Sequence, residues 1–246
     1  MTDYWWPTWA DILGMQFEEY YNFGRSGAGN TFIALQIAEA HKRHKFQEDD
    51  LVIVMWTSIT REDRYVNRYW QTPGNIYTQD YYDSEYIRKY SDVRGYLIRD
   101  LGLISLVSET LKSAHCDFHM LNMSPFVKEP SHYGDYNAND PTAGLEDVVE
   151  LYKDTIGDIL PDLLTTSCNG KWPQVPISHS KHQKTDYHPT TATHLHYLKS
   201  VFEGIDIPEK TLNWVDYHED KIRSSKQITD LDSIKWKLTR KNQRPL

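Results

Sequence analysis

Residues 19–30 read Glu19-Tyr20-Tyr21-Asn22-Phe23-Gly24-Arg25-Ser26-Gly27-Ala28-Gly29-Asn30 and decide the fold class expected of this chain. The aromatic run Glu19 to Phe23 predicts a short strand, the glycine-rich segment a tight turn, and Asn30 the cap of a helix reaching about Phe46. Strand, turn and helix in that order build a site, because the turn aims backbone N–H groups at whatever lies at the strand end. Leu51 to Trp56 follows as a nearly unbroken apolar run, the pattern of a strand buried on both faces of a parallel sheet. Thr57-Ser58 then opens toward the edge where such sheets hold their ligands.

The remaining chain continues the alternation. A polar, tyrosine-rich stretch from Arg61 to about Tyr90 reads as an insertion that covers something, and its rings either line a carbohydrate groove or pack as a lid. A helix is expected over Val93–Ala114, a strand over Cys116–Met123, a loop over Lys128–Gly144 and a helix over Leu145–Leu164. After a connector with Pro173 and Pro176, Thr191–Glu203 has helical spacing. Residues 206–246 read as a helical extension anchored by Trp214 and Trp236. The expectation is an α/β domain over residues 1–205, with an insertion at about 61–92, followed by that extension.

Composition removes several classes of function. With 246 residues, a formal charge of -8 and a pI near 5.7, the chain lacks the positive surface that nucleic acid requires. The basic residues Lys235, Lys237, Arg240, Lys241 and Arg244 read as a solvated tail. Cys116 and Cys168 match no metal or redox spacing, which fits a reduced setting. Neither a leader nor an apolar run of spanning length is found, so the expectation is a cytoplasmic protein with no membrane partner. Oligomeric state is not readable.

Two constellations carry chemistry. Gly24 to Thr31 is one letter from a phosphate-cradling loop, but Asn30 stands where that motif needs lysine, and strand 51–56 lacks a terminal aspartate for magnesium. The competing reading makes the Gly27 N–H an oxyanion donor. Far downstream, Asp186-Tyr187-His188-Pro189 places a carboxylate two residues before an imidazole, a compact way to orient a general base. His179, His182, His188, His194 and His196 complete no familiar metal set, so no metal is expected. Arg61, Glu62, Asp63 and Arg64 either position a charged substrate group or form a salt-bridged loop.

In that order these sites resemble the SGNH (GDSL-like) hydrolases. Asn22-Phe23-Gly24-Arg25-Ser26-Gly27-Ala28 is similar to that superfamily's second block, and Asp186-Tyr187-His188-Pro189 to its fifth. Met55-Trp56-Thr57-Ser58 falls at the third block, with Ser58 at the asparagine position. The resemblance implies a three-layer, flavodoxin-like parallel sheet and cofactor-free, metal-free hydrolysis of a small-molecule or glycan ester, such as an acetyl ester, through an acyl-enzyme. It further implies His188 as base, Asp186 as its orienter, Gly27 and Ser58 near the oxyanion, and Trp56 and Arg61 beside the substrate. The first block, with its nucleophilic serine and the first strand, has no counterpart after Met1, and Ser26 is the nearest substitute nucleophile. Two readings stay open, an enzyme whose serine lies upstream and an inactive relative that binds glycan or serves a structural role.

Overall fold

The computed structural model describes residues 5–77, 81–127, 144–180 and 183–231. The chain is mixed α/β, with a small parallel sheet and many helices. Among the described residues, contacts divide the chain into two compact units: one joins residues 5–22 to residues 163–231, and the other is formed by Phe23–Asp162. The break falls inside the 1–205 span read from sequence, and residues 206–231 group with the first unit.

The second unit holds the sheet. Strand β1 (Leu51–Trp56) pairs in parallel with β4 (Asp117–Asn122), from Leu51 opposite Asp117 to Trp56 opposite Asn122. A parallel pair needs a long crossover, and here it includes helix α4, Val93–Ala114. That helix forms where expected because Leu97, Leu101, Ile104, Val107 and Leu111 recur on one buried face. Asp92 caps it by accepting the Gly95 N–H at 2.5 Å. Helix α2 (Asn30–His44) packs on α4, and both share a core with β1 and β4. A parallel bridge from Met120 to Ile159 continues the sheet on the far side of β4.

Three local expectations are corrected. Glu19–Phe23 is not a strand, because these residues have no ladder partner and the chain passes through them in irregular conformation. The α2 cap is Gly29, with Asn30 already the first helical residue. The helix expected over 145–164 is broken at Tyr152 into α5 (Glu146–Leu151) and α6 (Lys153–Gly157), and a further helix begins at Leu163, after Gly157 and Pro161. The tyrosine-rich insertion is an antiparallel hairpin of β2 (Arg61–Val66) and β3 (Tyr69–Asn75), followed by α3, Ser84–Tyr90.

In the first unit, α8 (Thr191–Val201) packs against α1 (Trp9–Gly14), α7 (Leu163–Cys168) and α9 (Glu209–Ser224). A second cluster joins Trp6, Val175, Ile177, Ile222, Ile228 and Leu231, so α9 is an integral wall through Ile222. Each such fully buried aliphatic chain contributes about 1.5–3 kcal/mol of transfer free energy. Trp214 is half-buried, with its ring edge-on to His218. Trp236, His182, the basic tail and the loop 128–143 lie outside the described residues. Among the described residues, no helix is long and apolar enough to cross a membrane.

Candidate functional site

The Asp186–His188 pair forms in the first unit as its spacing suggests. Asp186 is fixed by an antiparallel bridge to Val175, with both backbone N–H···O bonds at 2.8 Å. One residue past the pair, the Pro189 carbonyl accepts the Trp6 indole N–H at 2.8 Å, and Thr190 then caps α8. The short loop is thus held at both ends. Its carboxylate is buried, 2 % exposed, whereas the His188 side chain is 77 % exposed.

Asp186 Oδ1 lies 3.0 Å from His188 Nδ1 and also accepts the His188 backbone N–H at 2.6 Å. Its other oxygen, Oδ2, lies 2.5 Å from His179 Nε2. Burial alone would raise this carboxyl, but the His188 hydrogen bonds and charge, with His179 adding to them, hold it below the usual value. An ionised carboxylate can only accept, so the Nδ1 of His188 carries the proton and Nε2 is left as the basic nitrogen. By the same argument His179 donates from Nε2. The sequence reading weighed His179 only as a metal ligand and missed its tie to Asp186, since a partner seven residues away leaves no periodic mark.

Behind the pair, His194 is buried on α8, and among the described residues its Nδ1 has no hydrogen-bond partner. Burial, with a smaller contribution from the His188 charge, depresses it to about 3, so it stays neutral. His196 is engaged elsewhere, its Nδ1 2.8 Å from the Ser167 hydroxyl. Among the described residues no group of three or more His, Cys, Asp or Glu side chains is arranged to hold a metal ion.

The other expected site residues belong to the second unit. Gly27 has φ of +73°, and a Cβ placed on it would lie 2.1 Å from the Thr72 carbonyl oxygen of β3. Close passage of the hairpin thus requires glycine here. Thr72 fastens the contact by donating its hydroxyl to the Ser26 carbonyl at 2.8 Å, while Ser26 itself is exposed. The mouth of α2 is already filled: Asp63 accepts the Gly29 and Phe32 N–H groups, each at 2.8 Å. Desolvation raises the Asp63 carboxyl above its ordinary value, against the pull of those two bonds.

Asn30, at the position where a phosphate loop would have lysine, is a structural clip. Its amide donates to the Thr57 carbonyl at 3.0 Å and to Asp100 Oδ2 at 2.7 Å, and its oxygen accepts the Thr57 N–H at 2.9 Å. It therefore ties the start of α2 to the end of β1 and to α4. Ser58 is buried, with Oγ 2.9 Å from the Thr60 hydroxyl. Trp56, expected beside the substrate, is 0 % exposed and belongs to the core. The alternating burial of β1 turns this ring inward, away from any ligand surface. Arg61 is half-buried and donates to the Ala28 carbonyl at 3.1 Å, and its guanidinium is lowered by burial while the Asp63 charge opposes the shift.

Comparison with protein-family models, with curated proteins and with solved structures finds no match to this chain.

Proposed function

We propose that this protein is an ester hydrolase of the SGNH-like kind, acting on a small-molecule or glycan ester such as an acetylated sugar. The observation that carries the reading is the buried Asp186 carboxylate bonded to Nδ1 of an exposed His188. In this reading Nε2 of His188 takes the proton from a hydroxyl nucleophile as it attacks the ester carbonyl, and returns it to the departing alcohol oxygen. The imidazolium formed between those steps is stabilised by Asp186. The nucleophile in this reading is a serine. The finer fold assignment, a three-layer flavodoxin-like sheet, is supported by the parallel β1–β4 pair and by the Ile159 bridge beyond β4.

A second reading, a catalytically inactive relative that binds glycan, is favoured by specific contacts. The Ser58 hydroxyl already has a partner in Thr60, and Asp63 already occupies the start of α2. Hydrolysis of 4-nitrophenyl acetate by the chain and by His188→Ala, together with fluorophosphonate labelling, separates the two. The hydrolase reading expects labelling and a loss of about 10²–10⁴-fold in His188→Ala. Equal rates and no label leave the inactive reading.

A further inference from the structure

The second unit contains a cavity of about 450 Å³ between β2, the end of α3 and the first turns of α4. That volume lies within the roughly 300–1,000 Å³ typical of small-molecule sites. On its wall Tyr96 is 6 % exposed, and its phenolic hydroxyl makes no aligned hydrogen bond among the described residues. Glu62 lies beside that hydroxyl without an aligned hydrogen bond, and burial, followed by the Glu62 charge and its contact with the phenol, pushes the phenol up. A buried hydroxyl left unpaired carries a desolvation penalty that an oxygen entering the cavity would lift.

The charged groups around the cavity are already engaged, including Asp63, which accepts the Gly29 and Phe32 N–H groups. Arg99 lies 2.6 Å from Asp100 and 3.8 Å from Glu62, and Arg64 lies 3.7 Å from Glu62 while donating to the Tyr86 hydroxyl at 2.6 Å. Asp92 is committed to the cap of α4. A charged ligand would have to break one of these pairs to gain its own. An uncharged, hydroxyl-rich ligand would not, because carboxylates and guanidiniums in a pair keep spare lone pairs and N–H groups for hydroxyls.

The lip is aromatic. Tyr90 lines the cavity and is 57 % exposed, the last ring of a row in which Tyr81–Tyr82, Tyr82–Tyr86 and Tyr86–Tyr90 centroids are 5.0, 4.7 and 5.0 Å apart. A pyranose is apolar on its C–H faces and polar around its rim, which matches a ring at the lip and paired charges within. We propose that this cavity is a binding subsite for an uncharged sugar ring, with Tyr90 against its C–H face and the Tyr96 hydroxyl, Glu62, Arg64 and Arg99 toward its hydroxyls. The subsite goes beyond the hydrolase reading and does not depend on it, since a chain without catalysis would still bind there.

The test is calorimetric titration of the full chain with maltotriose, cellotriose, mannotriose and N,N',N''-triacetylchitotriose, and with trigalacturonate as the charged comparator. Tyr96→Phe removes only the phenolic oxygen, and Tyr90→Ala removes a ring that also meets Tyr86 and Lys89, so thermal unfolding of each variant checks that the fold is retained. At least one neutral trisaccharide is expected to bind with a Kd of about 1 mM or tighter. Its Kd is expected to rise about fivefold in Tyr96→Phe and about tenfold in Tyr90→Ala. Binding by none of the neutral sugars, a Kd unchanged in either folded variant, or tighter binding of trigalacturonate overturns the proposal.

Discussion

Asp100 offers a quantitative handle on the second unit. It is 0 % exposed, and it accepts from Arg99 Nε at 2.6 Å and from Asn30 at 2.7 Å. Burial nevertheless outweighs these bonds and lifts the carboxyl to about 6. Arg99 is raised by the same pair, because it is only part-buried and the pairing outweighs its own desolvation; the desolvation cost falls chiefly on the carboxylate. An unfolded aspartate titrates near ~3.9, so between about pH 4 and 6 the native state holds a proton that the unfolded chain has released. Stability from this group is therefore greatest at low pH and is lost as pH rises through about 6. A shift of roughly two units corresponds to about 3 kcal/mol. Asp100→Asn removes the titration while keeping an acceptor oxygen. Urea unfolding from about pH 4.5 to 7.5, at constant ionic strength, should show the variant gaining about 2 kcal/mol on the wild type as pH rises. Carboxylates common to both proteins cancel in that difference. Parallel profiles would refute the argument, and a wild type gaining on the variant would show that the Arg99 pair outweighs desolvation.

Other perturbations test the glycine loop and its cover. Asp63→Ala leaves the Gly29 and Phe32 N–H groups without their acceptor, which should cost about 2–4 kcal/mol and speed amide exchange in the first turn of α2. Gly27→Ala combines a positive φ with a Cβ 2.1 Å from the Thr72 oxygen, so urea unfolding should show a loss of at least about 2 kcal/mol. An alanine variant as stable as the wild type would mean that the hairpin does not press on this loop.

What was legible in the sequence follows the range of the forces involved. Helix α4 and strand β1 match their expected bounds because their signals are local, a 3.6-residue apolar stripe and an apolar run ending in polar residues. The 19–23 stretch has strand-forming residues, but a strand exists only through its partner, and here no ladder pairs with it. The β2–β3 hairpin was hidden because its turn, Asn67-Arg68, has φ of +53° and +68° without the glycine that usually marks such turns. Asp186 and His188 were legible because the pairing spans two residues. Asp63, Asp100 and the Asn30 clip were not, because their partners lie 27 to 70 residues apart.

The claim that Asp186 sets His188 as a base is tested most directly by ¹⁵N NMR of the histidine side chains in the neutral, unprotonated state. His188 should carry its proton on Nδ1 and His179 on Nε2, opposite tautomers imposed by one carboxylate. Nε2-protonated His188, or an even mixture of its tautomers, would contradict the account.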